Sequence, residues 1–116
     1  MTQKEITIQG KSYPVIFTLK TIMGFEDIVG HSFFNDKLEK ISSRMALVIA
    51  SIIAADENAD ISADKLMNVD NWATIKDITE GFVVVMDLAG DFFKIPEVAK
   101  EDEKPADAEE SEKSKN

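Results

Sequence analysis

Residues 6–18 read ITIQGKSYPVIFT, with a glycine near the centre of the stretch. Apolar side chains alternate with polar or outward positions on either side of the segment 9–12; they are Ile6, Ile8, Tyr13, Val15 and Phe17. Alternation around a glycine-containing turn predicts a β-hairpin. Pro14 lies in the second strand, where it cannot donate a hydrogen bond to a ladder. The segment 12–18 is therefore predicted to be an edge strand, or one whose Pro14 faces away from its partner.

A helix is predicted directly after the hairpin, over residues 19–29. Thr18 precedes it as a candidate N-cap, and Gly30 follows it at the position where a left-handed residue commonly ends a helix. Its predicted apolar face holds Leu19, Ile22, Met23 and Val29, with Phe25 and Ile28 beside it. Gly24 weakens this helix by up to about 1 kcal/mol relative to alanine, or else permits another element to approach closely.

Two more long helices and a short one complete the prediction. A helix over 37–55 has apolar side chains nearly all round its second half, which predicts burial on several sides. Ser62 is predicted to cap a short helix over 63–68, and a third long helix follows Asn71. The β-branched run 83–85 favours a strand, but its flanks keep helical spacing, so a helix is predicted. The fold class is therefore α+β and mostly helical.

The composition changes at Pro96. Residues 97–116 hold eight acidic and four basic side chains and almost no large apolar ones. Such a segment cannot bury enough surface to offset the entropy of ordering, so we predict a disordered acidic tail. The chain is thus predicted to consist of a hairpin-plus-helical binding domain over 1–96 and a disordered tail over 97–116.

Charge and composition exclude several classes of function. The formal net charge of −9 repels phosphate backbones, so no nucleic-acid partner is predicted. The absence of cysteine excludes disulfides, thiolate metal sites and cysteine nucleophiles. The longest apolar run, 45–55, is far shorter than the ~20 residues that span a bilayer, and the N-terminus has no apolar signal region. We therefore predict a soluble cytosolic protein without membrane contact.

No recognisable catalytic or metal-binding motif is present. His31 is the only histidine, and after a helix-ending glycine it is interpreted as part of a C-terminal cap. Four acidic residues near the middle of the chain lack the spacing of a calcium loop and are interpreted as solvated; they are Asp56, Glu57, Asp60 and Asp64. We predict no catalytic, cofactor-binding or metal-binding residues, and a protein that is not an enzyme.

Surplus apolar residues are the more informative feature. They occur as three adjacent pairs: Phe33-Phe34, Val83-Val84 and Phe92-Phe93. On a surface helix or loop, one member of each pair tends to face outward, and exposed apolar side chains beside a core stripe can form a partner site. Completion of a thin core or of a homo-oligomer interface explains the same pairs equally well.

The N-terminal third of the chain resembles a known family. Residues 6–17 fit the form I-x-I-x-G-K-x-Y-x-V-x-F, and residues 25–34 fit F-E-x-x-x-G-x-S-x-F. The matching residues of the second form are Phe25, Glu26, Gly30, Ser32 and Phe34. This opening is similar to that of the small tail assembly chaperones of long-tailed bacteriophages and prophages, which also have a helical region and a charged C-terminus.

The resemblance implies a role in virion assembly in the host cytoplasm. Such chaperones are thought to bind the tape measure protein, keep it soluble and recruit tail tube subunits, and then to be absent from the mature particle. A frameshift in that family often produces a longer product with the same N-terminal domain. The implied contacts are helix-in-groove, and the candidate partner-binding residues are Phe33, Phe34, Val84, Leu88, Phe92 and Phe93.

Two other classes of function compete with this interpretation. The alternative is a structural or scaffold protein of a virion that self-associates permanently through the same surfaces, and it predicts that the chain is present in purified particles. A small enzyme ranks last and would show stabilisation by a metal or a substrate. The chaperone interpretation predicts that co-expression keeps a long helical partner soluble.

Overall fold

The computed structural model describes residues 2–67 and 72–94, except for the side chains of residues 72 and 73. The elements in chain order are β1 (Lys4–Ile8), β2 (Lys11–Val15), α1 (Leu19–Val29), a 3₁₀ turn (Phe33–Asn35), α2 (Ile41–Ala55), α3 (Ala63–Met67) and α4 (Trp72–Phe92). The predicted fold class is confirmed: a hairpin is followed by three main helices and a short one. The tail predicted to be disordered, 97–116, lies outside the described residues.

The hairpin is antiparallel and closes through a two-residue turn. Gln9 has a φ of 55° and Gly10 a φ of 80°, which is the combination of a type I′ turn. Glu5 lies opposite Pro14 in the register. Since hydrogen-bonded and non-hydrogen-bonded pairs alternate from the turn, Glu5–Pro14 is a non-hydrogen-bonded pair. The nitrogen of Pro14 therefore faces away from β1, as predicted.

One face of the hairpin covers the helices. The side chains that it buries are Ile6, Ile8 and Val15, followed by Phe17 just beyond β2. Gly81 lets α4 approach β1 closely, because a Cβ atom there would lie 3.1 Å from Cδ1 of Ile6. The backbone N–H of Ile16 donates to the carbonyl of Ser51 in α2 at 3.3 Å. These contacts fix the hairpin against both long helices.

Helix α1 has the predicted ends but a different buried face. Thr18 forms a reciprocal capping box with Thr21, and Gly30 ends the helix with a φ of 83°. The predicted apolar face is wrong for Leu19 and Met23, and for Ile28 beside it, since all three are exposed. Thr21, Ile22 and Phe25 face the core. The close approach suggested for Gly24 is present, because a Cβ atom there would lie 3.4 Å from that of Ala50.

Helix α2 starts at Ile41, so the predicted start at residue 37 is wrong. Leu38 has a left-handed φ of 59°, which a continuous right-handed helix does not contain. The Asp36 carboxylate accepts a hydrogen bond of 2.7 Å from the Leu38 amide and thus stabilises a turn there. The second half of α2 is buried on several sides, as predicted, and it forms the centre of the core.

The remaining helices agree with the sequence. The hydroxyl of Ser62 accepts a hydrogen bond from the amide of Lys65 at 3.2 Å and caps α3; residue 68, the predicted end of this helix, lies outside the described residues. The run 83–85 is helical within α4, so the helical interpretation of the three valines is confirmed. Among the described residues, no helix is both long and apolar enough to cross a membrane.

Candidate partner-binding surface

An aromatic cluster lies where the end of α4 meets the 3₁₀ turn and the start of α1. We define it as Phe17, Phe25, Phe33, Phe34, Phe92 and Phe93. Ring centroids of neighbouring members lie 5.0–6.3 Å apart in the pairs Phe92–Phe93, Phe17–Phe92 and Phe33–Phe93. The three members nearest the core are buried, whereas Phe34, Phe92 and Phe93 are exposed. The cluster therefore joins the hydrophobic core to the surface.

Two side-chain caps hold the 3₁₀ turn in place. The carboxylate of Glu26 accepts a hydrogen bond from the Phe33 amide at 2.9 Å, and the hydroxyl of Ser32 accepts one from the Phe34 amide at 3.2 Å. As a result, Phe33 points into the core while the side chain of its neighbour Phe34 is 71% exposed. The turn thus presents one phenyl ring to solvent on a fixed backbone.

The six predicted contact residues divide into two groups. Four of them meet in the aromatic cluster: Phe33, Phe34, Phe92 and Phe93. The other two do not. Leu88 is only 3% exposed and belongs to the core, and Val84 is half-buried against the core. Phe33 is also buried, so it supports the surface from below and does not offer a surface of its own.

Val83, and not Val84, is the exposed valine of its pair, at 64%. Consecutive residues on a helix point about 100° apart, so a sequence can show that the two valines face different ways. It does not show which of the two directions is covered, because that depends on where the hairpin and α2 lie. The exposed member was therefore missed.

An apolar strip extends from the cluster along one side of α4. We call it the α4 flank, and it consists of Ile75, Phe82, Met86 and Phe93. The spacing of seven, four and seven residues places these side chains in one row on a helix. Ile75, Met86 and Phe93 are exposed, and Phe82 is half-buried under the Arg44 guanidinium, which lies 4.9 Å from the ring centroid.

A concave site of about 420 Å³ lies at the junction of the α4 flank and the 3₁₀ turn. We call it the Phe34 pocket; its lining residues are Phe33, Phe34, Met86, Ala89, Gly90 and Phe93. All six are apolar or glycine. Gly90 is exposed, and a Cβ atom built there would meet no atom within 4 Å. The pocket thus fits an apolar group and offers no side-chain hydrogen-bond partner.

A second, polar cavity of about 600 Å³ contains His31, Asp36 and Ser43. Nε2 of His31 lies 2.7 Å from Oδ2 of Asp36, and the Ser43 hydroxyl donates to the same oxygen at 2.9 Å. In a hydrolytic triad the imidazole lies between the hydroxyl and the carboxylate. Here the carboxylate lies between the other two, so the imidazole does not activate the hydroxyl.

The carboxylate of Asp36 instead has a structural role, because it accepts hydrogen bonds from several groups around the turn before α2. Burial by itself would raise its pKa, but hydrogen bonds from His31, the Leu38 amide and Ser43 outweigh that effect and hold the pKa below its ordinary value. The C-terminal cap predicted for His31 is absent. The N–H of Gly30 caps α1 by donating to the Glu26 carbonyl, and His31 contacts Asp36. No local sequence motif indicates this contact.

The four acidic residues around residue 60 are solvated, and two of them pair with lysines. Lys65 pairs with Asp60, and Lys20 pairs with Glu57 at 2.6 Å, which lowers the pKa of both carboxyl groups. Within residues 2–67 and 72–94, no three histidine or acidic side chains are grouped so that they could hold a metal ion.

No protein-family model matches this chain, and no curated protein or solved structure is significantly similar to it. The surface of the molecule and the resemblance of residues 6–34 are therefore the observations that bear on its function.

Proposed function

We propose that the chain is a tail assembly chaperone-like protein, which binds the tape measure protein and helps to recruit tail tube subunits during virion assembly in the host cytoplasm. The observation that carries the proposal is the apolar strip of the α4 flank, which ends in the aromatic cluster and has three exposed residues among its four. The resemblance of residues 6–34 to the opening of such chaperones supports the same function.

The shape of this surface suits a helical partner. Its side chains follow one side of a 21-residue helix, and Phe34 adds a wall at one end. An amphipathic helix laid along such a strip buries its own apolar residues at positions three to four apart. A tape measure protein is a long helical chain with apolar stripes. Many such segments must therefore be shielded from water before assembly.

The charge of the chain supports a solubilising role. A net charge of −9 gives coated complexes the same sign, and like-charged particles repel each other. The partner's apolar stripes are then buried against the α4 flank, and the acidic exterior faces water. A chaperone needs both the burial of apolar stripes and the repulsion between complexes, because complexes that do not repel each other would aggregate.

The test is co-expression with the tape measure protein encoded in the same genome. We expect a larger soluble fraction of the tape measure protein and its co-elution with the chain on size exclusion. The variant Phe34→Asp should lose both effects, because it places a carboxylate on the most exposed ring of the surface. Met67→Asp is the matched control: Met67 is also exposed, at 64%, but lies on α3 outside the surface.

Three outcomes count against the proposal. The tape measure protein stays insoluble with the wild-type chain, or Met67→Asp fails as Phe34→Asp does, or the chain is found in purified mature particles. The last result would favour a self-associating structural or scaffold protein of the virion. A slippery heptamer with an overlapping reading frame at the 3′ end of the gene would add support for the chaperone.

A further inference from the structure

We infer that the Phe34 pocket receives one large apolar side chain from a helical segment whose apolar stripe is flanked by basic residues. This inference rests on the proposed function and adds the chemistry of the segment that binds. The supporting observations are the apolar lining of the pocket with space beside Gly90, its position at the end of the α4 flank, and the charge of the residues that follow in the sequence.

The volume and lining of the pocket suit a side chain that projects from another helix. Its volume of about 420 Å³ is at the small end of ligand sites in proteins, and Gly90 leaves space where any other residue would place a side chain. A helix lying on Met86 and Phe93 would direct one residue toward Gly90, between those two and Phe34. Leucine, methionine and phenylalanine suit a lining without charged groups.

Charge favours a basic partner over an acidic one. Residues 97–116 carry eight acidic and four basic side chains, and they begin three positions beyond Lys94. In the sequence, this segment begins four positions beyond Phe93, which lines the pocket. Lysine or arginine beside the partner's apolar stripe would gain from the net charge of this segment, whereas glutamate or aspartate there would be repelled.

The same charge disfavours a second copy of this chain as the occupant. In a twofold-symmetric dimer the same patch meets on both subunits. Such a dimer centred on the pocket would join two copies whose segments 97–116, four positions beyond Phe93 in the sequence, each have a net charge of −4. The two net charges have the same sign, so they disfavour that arrangement.

Synthetic helices about three heptads long provide the probe. Both have leucine at the a and d positions, and one has lysine at e and g where the other has glutamate. In fluorescence anisotropy with the full chain, we expect the lysine peptide to bind at least about tenfold more tightly at low salt. Added salt should reduce this difference. Equal affinities for the two peptides would overturn the basic-flank part of the inference.

The variant Gly90→Leu tests the pocket, and Gly90→Ala is its control. Leucine fills the space beside the backbone there, so the lysine peptide should bind at least about tenfold more weakly, a loss of about 1.4 kcal/mol. Alanine makes the same backbone change but leaves most of the space, so affinity should stay within about threefold. Both variants replace glycine within a helix, so their melting temperatures should equal or exceed that of the wild type.

A peptide with its central leucine changed to alanine completes a double-mutant cycle. It should bind the wild type more weakly than the parent peptide does, and the difference should disappear in Gly90→Leu. If Gly90→Leu binds the parent peptide like the wild type, the pocket is not the receptor. Light scattering that shows a wild-type dimer dissociated by Gly90→Leu would make a second copy the occupant and also overturn the inference.

Failure of this inference differs from failure of the proposed function. If the tape measure protein co-elutes equally with the wild type and Gly90→Leu, the chaperone function stands and the pocket assignment is wrong. If the peptides behave as expected but the tape measure protein never co-elutes, the pocket assignment stands and the biological partner is wrong.

Discussion

The backbone amide of Gln9, at the tip of the hairpin, donates a hydrogen bond of 2.8 Å to the carboxylate of Asp77 in α4. The side-chain amide of Gln9 also donates to the hydroxyl of Thr74 at 3.1 Å. Gln9 has a φ of 55°, a left-handed conformation that is unfavourable for a residue other than glycine. Its contacts with α4 therefore help to hold the turn in this conformation and to join two elements nearly 70 residues apart.

The variant Asp77→Ala should lower the free energy of unfolding by about 1 kcal/mol, because it removes a charged acceptor from a backbone amide at the surface. For a domain of this size, that corresponds to a melting temperature about 4–8 °C lower. Thermal denaturation followed by circular dichroism measures the change. Glu80→Ala is the control, since Glu80 pairs only loosely with Lys76, at 3.9 Å, and should melt like the wild type. Equal melting of both variants would show that the turn does not need Asp77.

Two buried serines of α2 should respond to alanine in opposite directions. The hydroxyl of Ser51 is fully buried and has no hydrogen-bond partner among the described residues. The hydroxyl of Ser43 donates a hydrogen bond of 2.9 Å to the carboxylate of Asp36. Ser51→Ala removes an unsatisfied polar group and should stabilise the fold by about 1 kcal/mol, whereas Ser43→Ala should destabilise it by about 1–2 kcal/mol.

Urea denaturation of the two serine variants gives both values on one scale. A loss of stability in Ser51→Ala would mean that its hydroxyl has a partner, such as a bound water. An unchanged midpoint for Ser43→Ala would mean that its hydrogen bond to Asp36 contributes nothing.

The Asp36 carboxylate should make the fold sensitive to acid. Its side chain is 8% exposed, and its pKa lies below the ordinary value of 3.8. A carboxyl group with a lowered folded-state pKa contributes stability above its unfolded pKa and loses it as the pH falls through the folded value. The wild type should therefore keep this contribution at pH 7 and at pH 5, and lose it below a pH of about 4.

Asp36→Asn isolates this contribution, because the amide keeps an acceptor for Leu38 but has no charge. We expect it to lower the free energy of unfolding by about 1–2 kcal/mol at pH 7. The difference from the wild type should shrink between pH 7 and pH 3, because the wild-type carboxyl group gains its proton as the pH falls through a folded-state pKa below its ordinary value. Urea titrations at the two pH values measure it, and a difference that is independent of pH would contradict the assignment.

Local signals in the sequence predict much of this fold. The alternation around Gly10 gives the hairpin, and Thr18 and Gly30 mark both ends of α1, because turns and caps depend on residues next to each other. The start of α2 was placed wrongly, since Leu38 is left-handed and its turn is held by Asp36 together with contacts from His31 and Ser43. No helical pattern contains that information.

The sequence predicts only part of the candidate surface, because the burial of a side chain on a helix depends on tertiary packing. Adjacent phenylalanines predict one outward-facing ring in each pair; Phe34 is exposed and Phe33 buried as expected, whereas Phe92 and Phe93 are both exposed. The choice between Val83 and Val84, and the burial of Leu88, depend on which side of α4 the hairpin covers. That arrangement results from tertiary packing, and the sequence periodicity of α4 alone is compatible with either side.

Phe92→Asp and Phe34→Asp should differ in stability although both residues are exposed rings of one cluster. The Phe92 ring lies 5.3 Å from that of Phe17, which is 4% exposed, so a carboxylate at residue 92 would be placed against the core. We expect Phe92→Asp to lower the free energy of unfolding by about 2–3 kcal/mol, and Phe34→Asp by less than about 1 kcal/mol.

Thermal melts of both variants decide how binding data on this surface are interpreted. If Phe92→Asp melts early and Phe34→Asp does not, a loss of binding in Phe34→Asp reports the surface itself, whereas the same loss in Phe92→Asp includes unfolding. If Phe92→Asp instead melts like the wild type, its contact with Phe17 is dispensable. Phe92 would then belong wholly to the surface, and its substitution would test partner binding as directly as that of Phe34.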